Sequence, residues 1–223
     1  LFSAVLAHYL GSKGHQVLLT ELTDRSFFKD YLNLQQINYK ANSWVKNVDV
    51  CQWSAKDCLQ EYVSYLVKVE SLSKLFLNNP ITKSLTDIAP GLNELAWLGK
   101  ITSSPRHHGP KVPYDEIIID SFSTGHFLSL LRAPEALTQS ITFGPMHEQC
   151  KGIASLIRNE SFTEIHIVTL PEELPITETI ELYKQLQNEF GITAKVYLNK
   201  ILNLTSDDLK NLPPIAYASL KKN

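Results

Sequence analysis

The sequence predicts a doubly wound α/β fold on a mostly parallel sheet, with a helical insertion. Three observations carry that expectation. The run Glu116-Ile117-Ile118-Ile119-Asp120 is apolar on both faces, as a fully buried parallel strand requires. Short apolar runs of similar character recur at 16–22, 164–170 and 194–199. Segments of helical period lie between strands in both halves of the chain, and alternating strand and helix is the pattern of βαβ units.

Leu1, Val5, Leu6, Tyr9 and Leu10 form a helical stripe over 1–12, with Gly11 and Gly14 as stop signals. Gln16–Leu22 then reads as a short buried strand. A helix feeding a strand is the second half of a βαβ unit, so the first strand and its loop are expected upstream. From about Phe27 to Lys111 the character changes. Trp44–Trp53 suggests one further strand, around Val48 and Val50. Leu59–Leu77 has a helical pattern and is broken by Asn78-Asn79-Pro80. A second helix is expected over Thr86–Ile101, interrupted near Pro90-Gly91. These segments define a helical subdomain at about 57–101 within one domain spanning 1–223. Ser103–Pro110 is a loop by composition.

Beyond the Ile run we expect a helix over Gly125–Leu131, a break at Pro134, and a helix over Met146–Arg158. Glu164–Leu170 is the next strand, Thr177–Glu189 a helix capped by Gly191, and Ala194–Asn199 the last strand. The strands at 17–22, 116–120, 165–170 and 196–199 are expected in one sheet, with helices on both faces.

Composition excludes several roles. A net charge of −2 over 223 residues leaves no electrostatic footprint for nucleic acid. There is no polybasic run for an anionic membrane surface and no apolar stretch long enough to span a bilayer. Leu1–Leu10 lacks the basic flank and cleavage site of a signal peptide. The three cysteines (Cys51, Cys58, Cys150) form no Cys-x-x-Cys pair, which favours a reducing, cytoplasmic location.

Chemistry concentrates after the Ile run. Ligands of open α/β sheets bind outside the carboxyl ends of the strands. Asp120 stands there and can hold Mg²⁺ directly or through water; alternatively it caps the helix that follows. Asn199 ends another strand, and its amide can donate to and accept from the adenine edge or simply form a turn. His126 is read as a packing or capping residue. His107-His108 is read as an exposed loop pair without a third metal ligand. Glu172 and Glu173 suit a helix first turn, where the dipole favours acids.

Asp120-Ser121-Phe122-Ser123-Thr124-Gly125-His126 resembles the switch II segment of the ArsA/Get family of ATPases, which drive arsenite pumps or deliver tail-anchored membrane proteins. Leu1–Leu19 is similar to the helix and strand that follow that family's phosphate loop. Val168–Thr179 resembles its strand and Pro-Glu turn, and Val196–Lys200 its strand ending in an adenine-recognising asparagine. Ile88–Leu95 is similar to bacterial members. The resemblance implies a P-loop NTPase type of fold, ATP and Mg²⁺ as ligands, and a homodimer. It further implies Asp120 holding Mg²⁺ through water, Ser123, Thr124 and Gly125 at the γ-phosphate, Asn199 at the base, and Asp30 orienting water.

Departures are equally specific. The loop G-x-x-x-x-G-K-[ST] is absent, and we expect it upstream of Leu1. Where the family has Asp-Pro-Ala-His, this chain has Thr23-Asp24-Arg25-Ser26. Neither the arsenite-binding cysteines nor a Cys-x-x-Cys zinc clasp has a counterpart.

Two functions follow. The first is a Mg²⁺-dependent ATPase whose dimer rearrangement acts on a client or transport partner through the helical insertion. The second is a catalytically inactive pseudo-ATPase or heterodimer subunit serving as a binding module. An apolar groove for a client helix is one reading of Leu59–Ile101, with Phe76 and Trp97 as the residues whose exposure tests it.

Overall fold

The computed structural model describes residues 1–67 and 91–201. The chain clusters into two compact units, Leu1–Thr163 and Glu164–Asn223, the second described as far as Ile201.

In the first unit, α1 (Phe2–Ser12) leads into β1 (Val17–Glu21), followed by the short α2 (Phe28–Tyr31). A hairpin of β2 (Asn42–Val45) and β3 (Val48–Gln52) comes next, then α3 (Ala55–Val67) and α4 (Leu92–Ile101). β4 (Glu116–Asp120), α5 (Thr124–Ser140) and α6 (Pro145–Ile157) complete it. The sheet runs β2-β3-β1-β4; β1 pairs parallel with β3 and β4, and β2 pairs antiparallel with β3. All five residues of β1 are buried, so both faces of this central strand are covered. Val17 and Leu19 meet Ala4 and Ala7 of α1, together with Phe28, Val48 and Val50.

Four expectations change here. The single strand at 44–53 is a hairpin, because Asn47 takes a left-handed φ of 63° and turns the chain between Val45 and Val48. Gly11 lies inside α1 rather than ending it. A Cβ there would stand 2.5 Å from Val48 Cγ2 and 3.1 Å from the Lys46 carbonyl oxygen, so glycine lets α1 press onto the hairpin. Pro134 does not break its helix but sits buried within α5, whose 17 residues run on to Ser140. Ile117, Ile118 and Ile119 are half-buried rather than fully buried, because β4 ends the sheet order and, among the described residues, pairs only with β1.

The described parts of the 57–101 subdomain are helical, and 68–90 lie outside the described residues, as does Phe76. Trp97 is buried, and its indole N–H donates to the Trp53 carbonyl at 2.9 Å, so it lines no open groove. Lys100 ties α4 to α3: its ammonium meets Glu61 at 2.5 Å and lies 4.9 Å from the Trp53 ring centroid. His108 is also half-buried, 3.1 Å from the Tyr62 hydroxyl, whereas His107 is exposed. All three cysteines are free and buried.

The second unit holds β5 (His166–Thr169), α7 (Glu173–Gln185), a π-helical turn at Leu186–Phe190, and β6 (Lys195–Leu198). Gly191 ends the helical run with φ 69°, as read from the sequence. β5 and β6 pair parallel as a separate two-stranded sheet, which overturns the expectation of one sheet containing all four strands. Apolar runs mark strands, but partner choice rests on backbone hydrogen bonds that have no side-chain signature. Flanking bonds close this pair on itself: Lys195 N–H to Ile165 C=O at 2.8 Å and Asn199 N–H to Thr169 C=O at 2.8 Å.

Candidate functional site

The carboxyl ends of β1 and β4 lie side by side, with Glu21 opposite Asp120 in the parallel register. A cavity of about 310 Å³ opens there, lined by Glu21, Leu22, Thr23, Arg25, Phe27, Asp120, Ser121 and Phe122. The first turn of α1 reaches the same place: the Ser3 hydroxyl donates to Asp120 Oδ2 at 3.1 Å. Asp120 therefore faces the start of the first helix and makes no cap to α5, whose start has no side-chain cap.

Two features of this end were not foreseen. Glu21 is 6% exposed, and its carboxylate accepts hydrogen bonds from the Ser26 hydroxyl, from Phe27 N–H at 3.0 Å and from Phe28 N–H at 3.3 Å. It fastens the β1–α2 loop to the strand. A sequence signal existed, since an acid closing an otherwise apolar strand is unusual without a partner. The second is Ser121, whose Oγ is buried without a hydrogen-bond partner among the described residues although the residue lines the cavity. Buried polar atoms are rarely left unpaired in a folded protein, so such a group at a cavity wall points to a ligand or water.

Ser123 precedes α5 in extended conformation, and Thr124 and Gly125 form its first turn. Helix geometry leaves the first amides without intrahelical acceptors, while the Phe127 N–H already reaches the Ser123 carbonyl at 2.9 Å. A Cβ on Gly125 would meet nothing within 4 Å, so the packing of the first unit does not itself demand a glycine. His126 stacks on Phe122 with centroids 4.0 Å apart, and Phe122 in turn packs on Trp97 at 5.1 Å. It is a packing residue, as read.

Asp30 is exposed on α2 and is not among the cavity-lining residues. Asn199, in the second unit, follows β6 and is exposed; its Oδ1 accepts from Lys200 N–H at 2.9 Å, leaving the amide nitrogen available. In its backbone partner Thr169, Oγ1 is buried without a hydrogen-bond partner among the described residues. Glu172 and Glu173 start α7, as expected from the helix dipole. Among the described residues, no cluster of three or more His, Cys, Asp or Glu side chains could hold a metal alone, and no helix is long and apolar enough to cross a membrane.

Comparison with known proteins gives this geometry a context. The ATPase BagA of Mycobacterium tuberculosis is 28% identical over 191 residues, covering 82% of this chain and 56% of BagA. The ATPase GET3B of Arabidopsis thaliana is 25% identical over 177 residues, covering 64% of this chain and 41% of GET3B. The chain thus spans about half the length of the curated relatives it matches. The family described as anion-transporting ATPase (ArsA ATPase) matches residues 1–145, well over half of the sequence. The chain belongs to the ArsA-type anion-transporting ATPase family.

Proposed function

We propose that this chain belongs to a Mg²⁺-dependent ATP hydrolase whose phosphate end lies at the joined carboxyl ends of β1 and β4. The observation that carries the reading is the 3.1 Å hydrogen bond from Ser3 to Asp120. It sets a carboxylate against the first turn of the helix that a phosphate loop would enter, beside a cavity of about 310 Å³.

The donors present fit a hard dication. Asp120 supplies carboxylate oxygen, Ser3 and Ser121 supply hydroxyls, and Mg²⁺ retains several waters, so one carboxylate suffices. When bound, Mg²⁺ would supply charge neutralisation at the β- and γ-phosphates. The α5 amides at Thr124 and Gly125, with Ser123, are assigned to the γ-phosphate oxygens, where a helix N-terminus favours negative charge. Asp30 is assigned to orient the attacking water. Asn199 is assigned to the adenine edge through its available amide nitrogen. We further propose a cytoplasmic homodimer whose rearrangement reaches a client or transport partner through the helical insertion.

The test is Asp120→Asn in the full-length protein. Turnover of Mg-ATP is expected to fall at least ~10²-fold, the scale of removing one preorganised electrostatic group, with the fold retained. Unchanged turnover would remove Asp120 from the mechanism.

A further inference from the structure

The loop Thr23-Asp24-Arg25-Ser26, which departs from the family pattern, contributes Thr23 and Arg25 to one wall of the candidate phosphate cavity. Its backbone is fixed at two points. Arg25 N–H donates to Thr23 Oγ1 at 3.1 Å, and Thr23 Oγ1 donates to the Arg25 carbonyl at 3.2 Å, closing a tight turn. Just beyond, the buried Glu21 carboxylate holds Ser26, Phe27 and Phe28. Arg25 therefore stands on a braced turn.

Charge gives that turn a purpose. The cavity-lining residues include two acids, Glu21 and Asp120, and one cation, Arg25. Glu21 is satisfied by three donors from its own loop, and Asp120 accepts from Ser3. The Arg25 guanidinium makes no hydrogen bond or ion pair among the described residues. Two carboxylates alone would repel a polyphosphate. A free guanidinium on the same wall opposes that repulsion, and its planar fork matches phosphoryl oxygens bidentately.

We propose that Arg25 acts in cis on the transferred phosphoryl group, stabilising the charge that develops on its oxygens. In the step served, a water oxygen forms a bond to the γ-phosphorus while the bond from that phosphorus to the β,γ-bridging oxygen breaks. The bond's electron pair leaves with ADP, the water releases one proton to solvent, and the products are ADP and inorganic phosphate. Arg25 exchanges no proton and contributes positive charge alone, with Glu21 as the residue that positions its loop. This assignment rests on the phosphoryl-transfer reading above.

The experiment compares Arg25→Ala, Arg25→Gln and Asp120→Asn in the full-length protein, with thermal unfolding as the check on folding. Arg25 is exposed, so both of its variants are expected to fold. For each, kcat is expected to fall at least ~10²-fold with KM for Mg-ATP within about threefold, since cis or trans arginines of this kind carry large rate factors. Affinity for ADP with aluminium fluoride should fall by a similar factor while affinity for ADP alone stays within about threefold. Guanidinium ion added to Arg25→Ala should restore part of the turnover. Arg25 variants at wild-type turnover beside an inactive Asp120→Asn would overturn the Arg25 assignment and leave the hydrolase reading intact. Equal loss of ADP and ADP–aluminium fluoride affinity would overturn it too, making Arg25 a ground-state anchor. Absence of turnover in the wild-type protein would sink both readings together.

Discussion

The two ends of the four-stranded sheet carry cavities of similar size and opposite chemical character. At the amino ends of the parallel strands, about 350 Å³ is lined by residues that include His8, Gly11, Lys13, Lys46 and Asn47. Part of the polar inventory around it is spent locally. Asp115 accepts from Gln16 N–H at 2.8 Å, Asn47 Oδ1 accepts from the Gln16 amide at 3.3 Å, and the Asn47 amide donates to the Gly11 carbonyl at 3.0 Å. At the carboxyl ends the smaller cavity keeps an unpartnered Ser121 hydroxyl, a free Arg25 guanidinium and an Asp120 carboxylate bonded only to Ser3 among the described residues. Volume does not separate the two ends; lysines line the first, and two carboxylates with one guanidinium and a buried unpartnered hydroxyl line the second.

The contrast can be broken by exchanging readouts between the two ends. Asp120→Asn carries the largest expected effect, the ~10²-fold loss of turnover given above, with thermal stability close to wild type. Gly11→Ala, at the other end, should do the reverse. Its Cβ would collide with Val48 and crowd the Lys46 carbonyl, so unfolding free energy should fall by about 1–3 kcal/mol, the usual cost of overpacking. Denaturant titration and steady-state turnover on the same samples would separate the two. If Gly11→Ala lost turnover while keeping stability, the division of labour between the ends would be wrong.

Asn199→Ala carries the smallest effect. ATP affinity should weaken roughly tenfold or less, the 0.5–1.5 kcal/mol of one hydrogen bond, with reduced preference for ATP over GTP. Isothermal titration with both nucleotides checks it; equal affinity changes for the two would make Asn199 a turn residue only. Its existing bond to Lys200 N–H is why the expected effect is modest.

What the sequence disclosed follows from which physical signals are local. Apolar runs located β1, β4, β5 and β6 because strand-forming side chains are a local signal, even though only β1 is wholly buried. Gly191 announced its left-handed cap because few other residues tolerate φ near 69°. Asp120 was legible from its place at a strand's carboxyl end. Ser3 as its partner was not, because the two lie 117 positions apart. Gly11 was misread as a stop, since a packing glycine and a terminating one look alike until the hairpin against it is known. The separate pairing of β5 with β6 was illegible for a related reason: backbone hydrogen bonds choose partners without consulting side-chain type. Glu21 shows the opposite case, a signal that was present but outweighed by the apolar run around it.

The buried cysteines have a practical consequence. Burial pushes the Cys51 thiol up to about 11 and the Cys58 thiol up to about 12, and raises Cys150 as well. The thiolate is the reactive form, so at neutral pH all three should ignore maleimides and disulfide reagents until the protein unfolds. A single cysteine introduced at exposed Asp24 could then be labelled against a silent background. A fluorophore there would report nucleotide arrival beside Arg25 in real time, with the native thiols left in place.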